Sequence, residues 1–248
     1  MHMPQEMMIW CLAALAAFCI GVSKAGFSGV SLISVFILAD VFGAKESLGF
    51  ALPMLIMADL MVYPAFRKYA SWKSVWLLTW PALVGMGLGV LVLGSVDNAT
   101  MRKIIGSIIL LMVTLQAMGR FNPDGFYKLA CTRKFGFFFG TTGGLATVLA
   151  NAAGPILQIY MISRRMEKME LIGVGARFFL VINFMKLPLG AGMNLINGQT
   201  LLANLLLLPA IALGVFGGKK VLTKIPQKNF EMTVIGFAVI AGIKLCFF

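Results

Sequence analysis

Acidic side chains are scarce in this chain of 248 residues, which has nine Asp and Glu against 21 Lys and Arg, and histidine occurs once. The lone histidine, His2, lies outside every apolar segment. An interior nucleophile activated by a histidine base is thereby ruled out. The four cysteines, Cys11, Cys19, Cys131 and Cys246, are scattered without metal-ligand spacing. They read as small core residues rather than a disulfide framework. No phosphate or dinucleotide fingerprint is present either, since "GMGLG" lacks the spacing and the strand–helix setting, so neither cofactor nor metal is expected. A long hydrophilic stretch is also missing, and with it any soluble domain.

What the chain does have is apolar surface: 60% of its residues are hydrophobic, 12% are charged, and the mean hydropathy is +0.92. A soluble core of this size cannot hide so much, so the expected class is an all-α polytopic membrane protein with the bilayer as its partner. The formal charge of +12 invites a nucleic-acid reading. In a membrane protein, however, basic residues collect in cytoplasmic loops, and no nucleic acid is needed. The N-terminus carries Glu6 and no Lys or Arg before its apolar run, unlike a secretory signal, so it is expected to be retained.

The apolar segments run roughly 7–20, 30–43, 47–66, 74–94, 103–119, 135–149, 155–163, 171–190, 199–218 and 231–248, with turn chemistry such as "NPDG" at 122–125 between them. Six approach or exceed the length of a span. The other four, flanking "GVSKAGFSG" and "LANAAGP", are expected to form two broken or re-entrant hairpins that return to the side they entered from. That map puts fourteen loop Lys and Arg on one side and only Lys45, Arg102 and Lys103 on the other. The asymmetry places the basic side in the cytoplasm and both termini outside, as in a bacterial inner membrane.

The halves also match. Glu46 and Glu170, Asp59 and Asn183, and Pro64 and Pro188 each stand 124 positions apart, with Pro81 and Pro209, then Gly106 and Gly236, at slightly larger offsets. Repeat 1 covers about 7–119 and repeat 2 about 135–248 of a single transmembrane domain spanning 1–248. Each repeat is a hairpin plus three transmembrane helices. Three is odd, so the second repeat is expected upside down relative to the first, with a binding site between them.

Four cations remain once the loop residues are set aside: Lys24, Arg177, Lys186 and Lys244. An ionised side chain in a membrane segment costs about 2.5–3.5 kcal/mol on insertion scales and usually faces a cavity or a partner. Lys24 lies in the first break, where a helix restarts near Ser28 or Gly29, with serine a good N-cap. Asn151 and Gly154 precede Pro155 in the second break, and proline suits a first helical turn. Two helix N-termini converging from opposite faces, with Lys24 beside them, would hold an anion.

Asn183 and Lys186 share a helix face and add an amide donor and a point charge. Arg177 is half a turn away from Lys186; it reaches the site, pairs with an acid, or sits at the cytoplasmic end. Lys244 reads as an interfacial side chain. Asp59 either balances Lys24 or couples transport to protons. Gly85 with Gly89 and Gly214 with Gly218 read as close-packing pairs. "GFSG" at 26–29 fits the surroundings of a membrane-embedded serine nucleophile, with Lys24 as the only base at hand.

Three stretches, "GVSKAGFSGVSLISV", "GGLATVLANAAGPILQIYMISRR" and "FFLVINFMKLP", make the chain resemble the TauE/SafE family of sulfite and organosulfonate exporters along essentially its whole length. The first break departs from the most glycine-rich versions, reading "AGFSG" after a lysine. The resemblance implies a secondary transporter, not an enzyme, for small sulfur-containing or carboxylated anions. The alternatives are an anion channel, a non-transporting membrane protein and an intramembrane hydrolase, and a homodimer stays open.

Overall fold

The computed structural model describes residues 5–26, 28–121, 124, 132–217 and 227–247. The turn at 122–125 (apart from Asp124), Gly218, and the loop cations Lys128, Lys219, Lys220 and Lys224 lie outside them. The described residues form helices and short connections, with no strand among them. In order these are α1 (Gln5–Lys24), α2 (Ser31–Phe42), α3 (Glu46–Phe66), α4 (Trp72–Ser95), α5 (Asn98–Phe121), α6 (Arg133–Ala150), α7 (Ala153–Ser163), α8 (Lys168–Gly192), α9 (Gly198–Leu206), α10 (Leu208–Ala212) and α11 (Gln227–Phe247). A π-helical turn, Leu213–Gly217, extends α10.

Among the described residues, five helices are long and apolar enough to cross a membrane, or six if the bent pair α9–α10 counts as one span; the expected last span, 231–248, is represented there by a shorter apolar stretch, Ile235–Phe247. Two expectations change. The first hairpin arm is not short, because α1 runs 20 residues and qualifies as a span on length and composition. Its apolar run carries on through Lys24, a residue whose charge is met by a partner in the interior. Only the returning arms are short, 12 residues in α2 and 11 in α7. Second, the expected single span 199–218 bends by 51° after Leu206. Pro209 at the start of α10 offers no backbone N–H, so the ladder cannot run through the joint.

Contacts sort the connections into two ends. At one, the start of α8 packs on the end of α3, so that a Cβ on Gly173 would stand 2.8 Å from Phe66 O, and Arg165 pairs with Asp124 at 3.1 Å. At the other, Asn98 accepts from Lys45 N and donates to Glu46, while Asp40 pairs with Arg102 at 2.8 Å and Lys244 at 3.0 Å. Among the described loop residues, Arg67, Lys68, Arg164 and Arg165 belong to the first end. Lys45 and Arg102 belong to the second.

Glycine lets four helices touch backbone to backbone. A Cβ on Gly85 (α4) would lie 1.8 Å from Thr141 O, and one on Gly144 (α6) 2.0 Å from Ala82 O. Likewise Gly214 would meet Phe18 O at 2.2 Å, and Gly21 (α1) would meet Ile211 O at 2.3 Å. The expected close packing at Gly85 and Gly214 is thus present. Gly236 is different from Gly106: nothing among the described residues lies within 4 Å of its added Cβ, and Gly242 faces Gly106 instead. The centre is the crossing of α3 and α8, where Asp59 is 0% and Asn183 1% exposed. Trp72, Trp76 and Trp80 form an exposed aromatic ladder along one face of α4, suited to lipid.

Candidate functional site at the two helix breaks

Helix α1 ends at Lys24 because the chain turns through Ala25 and Gly26, whose φ of +121° suits glycine. A 3₁₀ turn, Ser28–Val30, then leads into α2. Val30 is the N-cap of α2 and no side chain caps it, so the expected serine-capped start near Ser28 or Gly29 is replaced by that turn. Helix α6 ends at Asn151, which is left-handed at φ 51° and closes the helix by donating its N–H to Thr147 O at 3.2 Å. Helix α7 starts two residues later with Gly154 and Pro155 in its first turn.

The breaks meet. The 3₁₀ turn of the first packs against α7, and Lys24 and Gly26 share with Gly154 a cavity of about 60 Å³. Its wall also includes Asp59, Gln158 and Phe179. A second space, about 10 Å³, lies between Ser31, Ser34 and Ser47 on one side and Ala150 and Asn151 on the other. A third, about 30 Å³, brings Lys186 together with Val90, Leu93, Met193 and Leu195 near the Lys45 end.

Lys24 does not snorkel. Its side chain is 11% exposed, its Nζ lies 2.7 Å from Asp59 Oδ1, and it sits 4.2 Å from the centre of the Phe179 ring. Asn183 Nδ2 donates to the other carboxylate oxygen at 2.8 Å. Lys186, 6% exposed, donates to Thr147 O at 2.9 Å, to Thr147 Oγ1 at 3.3 Å and to Asn151 Oδ1. All three acceptors are neutral. Thr147 O is one of the last four carbonyls of α6, so the ammonium caps the negative end of that helix. Asn151 Nδ2 in turn donates to Leu48 O at 3.2 Å, pinning the second break to α3.

The structure therefore joins Lys24, Asp59, Asn183 and Gly154 in one group, and Lys186 with Asn151 in its neighbour. Arg177 is outside both: it donates to Arg67 O and lies 4.6 Å from the Trp72 ring, at the end of α3. Lys244 likewise meets Asp40 at the opposite end. Thr147 and Phe179 were not singled out from sequence, although each stands four residues before a residue that was, Asn151 and Asn183, on the same helix face. Two lysines against one carboxylate leave this interior with one positive charge in excess when all three are ionised.

The family model for the sulfite exporter TauE/SafE matches residues 13–245, nearly the whole chain. No curated protein and no solved structure matches. The matched stretch contains both breaks, Lys24, the buried Lys186 and the Asp59 carboxylate. The chain belongs to the sulfite exporter TauE/SafE family, whose members are membrane transporters rather than enzymes.

Proposed function

We propose that the chain is a secondary exporter of small sulfur-containing or carboxylated anions, sulfite and organosulfonates among them, working by alternating access around a site where two inverted repeats meet. One observation carries this reading: among the described residues, the mostly covered Lys24, paired with the buried Asp59, and the buried Lys186, held by Asn151, lie where the two helix breaks come together. In a low-dielectric interior an ammonium needs a counter-charge, and a monoanion in the cavity can supply one to Lys24. The 60 Å³ beside Lys24 is several times the ~10–15 Å³ that admits one water, which leaves room for a compact oxyanion.

Support for inversion comes from two places. Asp59 and Asn183, equivalent in the repeats, hydrogen-bond to each other across 124 positions, as residues beside a two-fold axis would. The glycine contacts repeat as well: Gly85 against Thr141 O and Gly144 against Ala82 O correspond to Gly214 against Phe18 O and Gly21 against Ile211 O. On the positive-inside rule the end carrying Arg67, Arg164 and Arg165 faces the cytoplasm, leaving both termini outside. The cavity wall at Val62, Met161 and Ile172 belongs to helix turns nearest that end, which suits loading from the cytoplasm.

Thermal shift of the purified protein against sulfite, isethionate and acetate, with choline as the cation control, tests the reading. Anions are expected to raise the melting temperature and choline to leave it unchanged. Lys24→Met/Asp59→Asn, which removes the ammonium lining the cavity, is expected to weaken anion binding about 10- to 100-fold, the range for losing one charge-assisted contact of ~1.5–3 kcal/mol. Lys186→Met, whose ammonium lines a separate space, is expected to weaken it less. Unchanged affinity in the double variant would remove the site.

A further inference from the structure

We propose that Asp59 is the proton site of this transporter: an anion entering the cavity beside Lys24 takes that lysine away from Asp59, which binds a proton in exchange. The proposal rests on the anion reading above and adds the coupling ion. Asp59 is fully buried and its charge is met on one oxygen by Lys24 at 2.7 Å and on the other by Asn183 at 2.8 Å. Lys24 and Asp59 both line the cavity. An anion there competes with Asp59 for the same ammonium, and a buried carboxylate deprived of its cation is strongly disfavoured. Protonation relieves it without moving a helix.

The neighbouring amide is equipped for both forms. Asn183 donates Nδ2 to the carboxylate, while its buried Oδ1 has no hydrogen-bond partner among the described residues. Turning the amide over presents that oxygen to a protonated Asp59 as an acceptor. One proton arrives from solvent through the cavity, one Lys24–Asp59 ion pair breaks, and one Lys24–anion pair forms. A monoanion and a proton then load together with no net charge.

The charged groups acting on Asp59 are Lys24 from α1 and Lys186 from α8. Other charges on the elements packed around α3 point elsewhere. Asp40 of α2 is held by Arg102 and Lys244, Arg177 of α8 by Arg67 O, and Arg133 and Lys134 lie exposed at the start of α6. Helices α9 and α10 carry no charged residue.

Isethionate, a sulfonate that does not titrate near neutrality, is the probe. Added to detergent-solubilised wild-type protein in weak buffer with a pH dye, it is expected to draw about one proton per bound anion. Its Kd should rise with pH, approaching tenfold per unit, because binding consumes a proton. Asp59→Asn should bind isethionate with no proton uptake and no such slope. Saturable binding by the wild type without proton uptake overturns the coupling and leaves the anion reading standing. A slope kept in Asp59→Asn and lost in Lys186→Met also overturns it, assigning the proton to Lys186. No isethionate binding at any pH removes both.

Discussion

Lys24 and Asp59 define what single residues contribute here. Each would be prohibitive alone in the interior, and removing one partner of a buried pair typically costs ~3–5 kcal/mol because the other charge is stranded. Lys24→Met is therefore expected to lower the melting temperature sharply, and Lys24→Met/Asp59→Asn to recover most of the loss. A double variant no more stable than the single one would contradict the pairing. The sequence already contained the balancing role of Asp59, since it was the one acid clearly inside a membrane segment. Arg177 was less legible. Nine residues separate it from Lys186, half a turn around α8, so periodicity separated the two without saying which faced inward. The Thr147 acceptor escaped because a threonine in an apolar helix normally bonds its own backbone, as Thr79 does to Val75 O at 2.8 Å.

At the level of elements, the central helix α3 carries Pro53 and Pro64 inside it. Proline disturbs the carbonyls one turn back, and in α3 one of these, Phe50 O, accepts from Asn204 Nδ2 of α9 at 3.1 Å. Asn204 is 0% exposed, so Asn204→Leu is expected to cost about 1–3 kcal/mol, read as a lower melting temperature without loss of expression. An unchanged melting temperature would deny the contact its role. The two breaks were visible as glycine and polar residues inside apolar runs. The length of α1 was not, because Lys24 marks a helix end by charge only until its partner is known. Nor was the joint at Leu207: a proline in an apolar run permits either a kink or a smooth start, and packing against α3 and α1 decides.

Over the whole molecule, the backbone contacts at Gly21, Gly85, Gly144 and Gly214 are the closest approaches of one helix to another among the described residues. Gly21→Val or Gly144→Val is expected to destabilise by at least the ~1–3 kcal/mol usual for overpacking, because the obstructing atoms are main chain and cannot swing aside. Gly87→Ala and Gly94→Ala meet nothing within 4 Å among the described residues and should leave folding intact, or gain slightly through helix propensity. Comparing membrane-inserted yield and melting temperature across the four variants checks both directions. The glycine spacings were legible in the sequence, but their partners were not, since each faces a helix from the other half of the chain.

These contacts between the two halves constrain motion. Helices touching through bare backbone cannot slide past one another without collision, so α1 travels with α10, and α4 travels with α6. Any rocking that opens the pocket first to one aqueous compartment and then to the other must use composite bodies, each borrowing an arm from both ends of the chain. A covalent tether fastening α1 to α10 should accordingly leave flux through proteoliposomes undiminished.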